Sequence, residues 1–188
     1  MLWLVLGVLL WSGAHLLPSA GVGARAALRR RLGGGPYRGL FSLVILGSVA
    51  LIVVGWRATT PLPLYPGVGW DRIATNIGMF VALSLFAASV LPTNLKRLVR
   101  HPQLMGVVVW SLAHLLSNGD QRSLVLFGGI GSWALAAIVF TNRRDGAWQR
   151  PGPQPVWGDA VVLVAGVIGF ALLFTAHPYF TGMPATPR

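Results

Sequence analysis

Apolar residues run in six blocks along the chain, at about residues 1–17, 39–56, 73–91, 102–117, 123–140 and 156–176, with short polar stretches between them. About 20 apolar residues span a bilayer as a helix, and about 17 is the practical minimum. Four blocks clear that length, and the first and fourth are short. The pattern predicts an all-α fold: a polytopic membrane protein built as a bundle of about six transmembrane helices, in one integral membrane domain over residues 1–188.

Local signals place the ends of these helices. Pro102 suits a first helical turn, Gly119 can close the helix that follows, and Asp120 can cap the start of the next. The stretch RATTPLPLYPGVGW, Arg57 to Trp70, carries three prolines and is expected to be a stiff surface segment. Gly128, Ser132 and Ala136, spaced by four, offer a close-packing face on the fifth helix.

Composition agrees with the membrane reading: 54% of the 188 residues are hydrophobic and 10% charged, and the mean hydropathy is +0.66. Cysteine is absent. Disulfides, thiolate nucleophiles, iron–sulfur clusters and cysteine-based zinc sites are thereby excluded. Any redox chemistry has to come from a cofactor.

The net charge of +11 would suit nucleic acid only if the basic residues shared one exposed face or element. Instead they lie in short loops between apolar blocks. Arg25, Arg29, Arg30, Arg31, Arg38, Lys96, Arg97, Arg100, Arg143, Arg144 and Arg150 fall in alternate loops, and only Arg57, Arg72, Arg122 and Arg188 fall on the other side. The positive-inside rule makes the first set cytoplasmic. It predicts a multi-pass protein of the cell inner membrane with both termini periplasmic, surrounded by membrane lipid and binding no nucleic acid. The opening MLWLVLGVLLW has no basic residue before its apolar run, so it reads as an uncleaved first span.

All four histidines, His15, His101, His114 and His177, lie in or at the ends of apolar blocks, whereas no carboxylate lies near the middle of one. That distribution counts against ion pumps and proton-coupled carriers. Two of the histidines share a setting: WSGAHLL at Trp11 to Leu17 and WSLAHLL at Trp110 to Leu116. In each, the tryptophan and histidine are four apart and share a helix face. Histidines on facing helices that hold a porphyrin iron are the simplest function needing His, no Cys and no carboxylate. The plainer alternative is a histidine that snorkels or bonds backbone at the membrane edge. His101 and His177, each followed by proline, suit it, since His-Pro also marks a helix boundary. The repeat does not extend: at an offset of 99 residues the fifth apolar block falls on the arginine-rich loop.

RHPQLMGVVVWSLAHLLSNGDQRSLVLFGG, Arg100 to Gly129, resembles the bacterial NnrU family, and AHLLPSAGVGARAALRRRLG, Ala14 to Gly33, resembles that family's first motif. The resemblance implies a link to denitrification through the function of nitrite and nitric oxide reductases. It also implies kinship with the cis-ζ-carotene isomerase, a membrane enzyme that uses haem b to isomerise a carotenoid-type polyene. By that resemblance the haem ligands are His15 and His114; Trp11 and Trp110, four residues before them on the same helix faces, are expected to wall the site. Ser111 stands where the isomerase has a cysteine that takes part in a redox-dependent ligand switch; serine supplies no thiolate, and here it is expected to be a supporting hydroxyl.

Depth in the membrane complicates that pair. In this topology His15 lies near the cytoplasmic end of its helix and His114 near the periplasmic end of its own, roughly 10 to 15 Å apart in depth at 1.5 Å per residue. A first helix running past Pro18 would narrow the gap. Otherwise depth pairs His15 with His101, and His114 with His177. His101 and His114, 13 residues apart on one helix, are roughly 20 Å apart and cannot share an iron.

Three functions follow as expectations. The first is a haem protein, either isomerising a lipophilic polyene or serving nitrogen-oxide metabolism. The second is a non-enzymatic assembly or haem-handling factor partnered with a membrane reductase. The third is a small transporter.

Overall fold

In a computed structural model the described residues, 1–66, 71–182 and 185, form helices and connecting turns, with no strand among them. The helices are α1 (Leu2–Leu16), α2 (Val22–Leu32), α3 (Gly34–Ala58), α4 (Asp71–Val90), α5 (Pro102–Ser117), α6 (Gln121–Asp145) and α7 (Val156–Thr181), with a 3-10 turn at Asn94–Arg97. The chain is thus an all-α, multi-pass membrane protein. The six apolar blocks correspond to four long helices and two shorter apolar ones, α1 and α5. Gly34–Ala58, Arg72–Val90, Gln121–Asp145 and Val156–Tyr179 are long and apolar enough to cross a membrane. Helices α1 and α5 have 15 and 16 residues, about 23 Å of rise against roughly 30 Å of hydrocarbon.

The chain divides into two compact units. The first comprises Met1–Pro66 and Asn118–Ala147, and therefore α1, α2, α3 and α6; the second comprises Gly67–Ser117 and Trp148–Arg188, with α4, α5 and α7. In the first unit α1 is the central element, packed on both α3 and α6. The crossing of α1 and α3 is close because glycines remove side chains there: a Cβ on Gly7 would lie 2.7 Å from the Ile52 nitrogen, and one on Gly55 would run into the Leu4 backbone. Leu4 is fully buried at this crossing. In the second unit the long helix α4 is central, with α5 on one side and α7 on another. Each unit therefore carries one copy of the WSxAHLL motif, but on a helix with a different place in its unit, which agrees with the failure of the repeat to extend.

Several expectations change. The loop from Pro18 to Arg38 contains α2, and α1 ends at Leu16 instead of running past Pro18. The face of α6 that packs is Ser123, Phe127, Ile130, Gly131, Ala134 and Ala137. Ser132 is exposed, so the Gly128–Ser132–Ala136 stripe does not form the contact. A stretch of π-helix at Leu124–Gly128 lies within this face, between Ser123 and Ile130, and its wider turn advances the phase of the helix. The His177-Pro178 pair does not end α7, which continues to Thr181. There the Thr181 hydroxyl donates to the His177 carbonyl (2.9 Å) and the Gly182 N–H donates to the Pro178 carbonyl (2.8 Å), with Gly182 left-handed at φ 75°.

Pro102 opens α5 as expected, with the His101 carbonyl accepting from the Met105 N–H at 2.9 Å. Asp120 caps α6: its Oδ1 accepts from the N–H groups of Arg122 (2.9 Å) and Ser123 (3.2 Å), and its Oδ2 from the Ser123 hydroxyl (2.8 Å). Gly119 does less to close α5, which ends at Ser117, than to join two segments of the first unit: its carbonyl accepts from Leu64 N–H (2.7 Å) and Tyr65 N–H (3.2 Å). The proline-rich segment is thereby pinned as far as Pro66, and the remainder of that expected stiff stretch, Gly67 to Trp70, lies outside the described residues. Arg122 holds the end of α3 to the start of α6, 4.4 Å over the Trp56 ring and donating to the carbonyls of Trp56 (3.3 Å) and Thr59 (3.1 Å).

The cap is also a pH-sensitive element. Burial pushes the Asp120 carboxyl up, but hydrogen bonds from Ser123 and Arg122 and the Arg122 charge outweigh it and hold the group below the usual carboxylate range. Its contribution to stability is present in full above about pH 4, the ordinary value, and is lost as pH falls through the lower folded value. Unfolding midpoints of the detergent-solubilised protein between pH 6 and 3 should fall more steeply for wild type than for Asp120→Asn; parallel curves would refute this.

Candidate functional site

The two motif histidines are built alike. In α1 the His15 Nδ1 lies 2.9 Å from the Trp11 carbonyl, and in α5 the His114 Nδ1 lies 2.9 Å from the Trp110 carbonyl. A carbonyl oxygen only accepts, so Nδ1 carries the proton and the lone pair of the neutral imidazole is on Nε2. This is the tautomer of a histidine that ligates through Nε2. The tryptophan four residues earlier lies against the ring in each case, at 4.0 Å and 31° for Trp11 on His15 and at 4.9 Å and 50° for Trp110 on His114.

Around His15 the first unit assembles an aromatic box. Trp133 from α6 meets the imidazole edge-on at 5.6 Å and Trp11 at 4.6 Å, and Phe41 from α3 meets the imidazole at 5.7 Å, with Tyr37 behind it at 6.4 Å. The indole N–H of Trp133 and the Ser12 hydroxyl are sealed from solvent without a hydrogen-bond partner among the described residues.

In the second unit His114 and His177 line one cavity of about 70 Å³, together with Thr75, Asn76 and Met79 of α4 and Phe170 and Phe174 of α7. The Thr75 hydroxyl donates to the Ala113 carbonyl at 2.9 Å and so accepts from Ser117 Oγ at 2.5 Å, which fixes α4 against the last turn of α5 on both sides of His114. The Thr181 hydroxyl spends its hydrogen on the His177 carbonyl, so its contact with His177 Nδ1 (3.2 Å) is accepted from that nitrogen, again leaving the lone pair on Nε2.

The structure thus brings His114 and His177 to one cavity, the pairing that depth alone suggested. His15 belongs to the first unit and His114 to the second. His101 is at the opposite end of α5 from His114. Ser111, 2% exposed, has no hydrogen-bond partner among the described residues, so its hydroxyl does not bond His114. As ligands the imidazoles fit iron. At about 70 Å³ the cavity of the second unit is small beside the several hundred Å³ of ordinary small-molecule sites. Met79, Trp133 and Phe41 were not singled out in the sequence, since only packing brings them to the histidines.

Apolar helices of membrane-spanning length, whose described buried polar side chains are small hydroxyls and never charged groups, define a polytopic helical membrane protein. The chain belongs to the NnrU family, whose family model, described as NnrU protein, matches residues 3–185. It is also similar to two Mycobacterium tuberculosis proteins, from strains CDC 1551 / Oshkosh and H37Rv, each named a fluoroquinolones export permease protein. Both are 28% identical over 142 residues, which cover 64% of this chain and 57% of theirs. The aligned stretch thus spans little more than half the length of those relatives. No solved structure matches.

Proposed function

We propose that this NnrU-family protein is a haem b protein of the inner membrane, both termini periplasmic, whose iron ligands are Nε2 of His15 and of His114. The observation that carries the reading is the twice-built Nδ1–carbonyl hydrogen bond at 2.9 Å, which orients each imidazole as a ligand. Trp11 and Trp110 hold the rings in place from one side. His177, at the same cavity as His114, is the alternative second ligand. When bound, haem supplies an iron centre that can polarise a double bond or exchange an electron. That suits two roles: isomerising a carotenoid-type polyene that enters from the lipid, or a haem-linked part in denitrification alongside nitrite and nitric oxide reductases. A non-catalytic assembly or haem-handling role for such a reductase would use the same ligands, and it differs in requiring a stable complex with the reductase in native membranes.

The test is an absorption spectrum of the purified protein from haem-supplied cells, oxidised and reduced, beside His15→Ala and His114→Ala. A Soret band with sharp reduced α and β bands, reduced at least tenfold in both variants, is the expected result. Haem retained in His15→Ala but lost in both His114→Ala and His177→Ala would move the pair into the second unit, and a colourless wild type would end the haem reading.

A second reading, passage of an amphipathic solute, is favoured by the similarity to proteins named as export permeases. It predicts uptake or efflux of a fluoroquinolone by proteoliposomes, and no flux above empty vesicles would remove it.

A further inference from the structure

We propose that the arginine-rich end of the first unit, centred on α2, binds the phosphate of an anionic phospholipid headgroup. This goes beyond the haem reading and rests on none of its residues.

Helix α2 contacts α3 and has Arg25, Ala27 and Leu28 half-buried, but it is only lightly packed. It has 11 residues, and none of them is buried. A helix this short is marginal in water on propensity alone and is ordinarily held by a packed face. Here Val22 is 48% and Leu32 39% exposed, and Arg29, Arg30 and Arg31 are exposed in the last turn. An environment that takes up both exposed apolar side chains and guanidinium groups is the headgroup region of a bilayer.

Charge gives the sign of the occupant. Arg38 lies in the early turns of α3, and Arg143 and Arg144 in the last turn of α6. Arg144 donates to the Pro18 carbonyl at 2.6 Å, which brings the end of α6 to the turn that leads into α2. This end of the unit thus gathers Arg25, the Arg29–Arg31 triplet, Arg38, Arg143 and Arg144. The chain has four acidic residues in all, and Asp145, the one at this end, is already paired with Arg144 at 2.7 Å. No ion pair among the described residues neutralises the other six arginines.

Arg25 points to a specific acceptor. Its Nε is sealed from solvent and has no hydrogen-bond partner among the described residues. A buried donor without an acceptor is costly, and a guanidinium beside a phosphate satisfies it with a charge-assisted bond. Arg25 and Arg29, one turn apart, lie on the same side of α2, so one phosphate can bridge them. Under the positive-inside orientation this end meets the cytoplasmic leaflet, where anionic headgroups are available.

The test uses the full chain in a mild non-ionic detergent, with native mass spectrometry reading the retention of added phosphatidylglycerol against phosphatidylcholine. Wild type should retain the anionic lipid at least tenfold more strongly. Arg25→Gln with Arg29→Gln should lower that preference by about 25-fold, since each arginine near a membrane surface contributes roughly fivefold. Arg57→Gln, on the last turn of α3, should leave it unchanged. Arg25→Lys with Arg29→Lys preserves charge and orientation, and should keep most of the preference while confirming that the fold survives change at these positions. Equal retention of the two lipids by wild type, or a preference that persists in the glutamine variant, would overturn the proposal. So would binding of a nucleic acid or soluble protein that phosphatidylglycerol vesicles fail to displace.

Discussion

Gly55→Val is expected to unfold the first unit, or to lower its unfolding midpoint more than any other single change considered for this unit. A Cβ at position 55 would run into the Leu4 backbone nitrogen, would lie 2.6 Å from its Cα and 2.8 Å from its Cβ, and Leu4 is fully buried. The obstacle is backbone and not the free end of a side chain, so no rotamer change relieves it. Overpacking a well-filled contact costs about 1–3 kcal/mol, and an added branched side chain against main chain belongs at the top of that range or above it. Because α1 carries Trp11 and His15 and is central in its unit, the same change should loosen the aromatic box around His15. The measurement is thermal unfolding in detergent with tryptophan fluorescence, comparing Gly55→Ala and Gly55→Val with Gly13→Ala, where an added Cβ meets nothing within 4 Å. A Gly55→Val midpoint equal to that of Gly13→Ala would show that the crossing is looser than the structure has it.

The second large effect is expected at Asp159, in the first turn of α7. Its Oδ1 accepts from the Thr93 hydroxyl at 2.5 Å and the Asn94 N–H at 2.7 Å, and its Oδ2 accepts from the Asn94 side-chain amide at 2.8 Å. Asn94 in turn exchanges bonds with the Gln154 backbone, at 2.8 Å and 2.9 Å. Thr93 is 1% exposed, so its hydroxyl has no access to solvent if the carboxylate is removed. One side chain thus ties the turn after α4 to the start of α7, at a helix N-terminus where a negative charge is favoured. Asp159→Ala should lower the unfolding midpoint by several degrees and render the Pro92–Asn94 turn susceptible to proteolysis. Asp159→Asn should do less, because its one remaining oxygen can still accept from Thr93 and the Asn94 N–H while its amide opposes that of Asn94. Equal midpoints for wild type and Asp159→Ala would sink the argument.

What was legible in the chain follows from the range of each interaction. Membrane class and the limits of the apolar helices are properties of consecutive residues, so the block at 102–117 coincides with α5 and the shortness of the first and fourth blocks persists in α1 and α5. Asp120 could be placed as a cap because a capping side chain bonds its own neighbours. Helix α2 escaped detection because its triplet of arginines interrupts the apolar pattern. The π-helical stretch in α6 escaped because one wider turn leaves no mark on composition; the buried face proved to run through Ile130, Ala134 and Ala137, with Ser132 exposed.

The sequence by itself determined that the chain is an α-helical membrane protein of the NnrU type, and that its four histidines lie in or at the ends of its apolar blocks. It also determined that each motif histidine lies beside a tryptophan, since residues four apart share a helix face whatever surrounds them. Tertiary structure alone decided how the histidines are distributed: His15 in a box with Trp133 and Phe41 in one unit, and His114 at a cavity with His177 and Met79 in the other. Those neighbours come from helices far apart along the chain, and what brings them together is close packing of whole helix faces, which no local pattern of residues encodes.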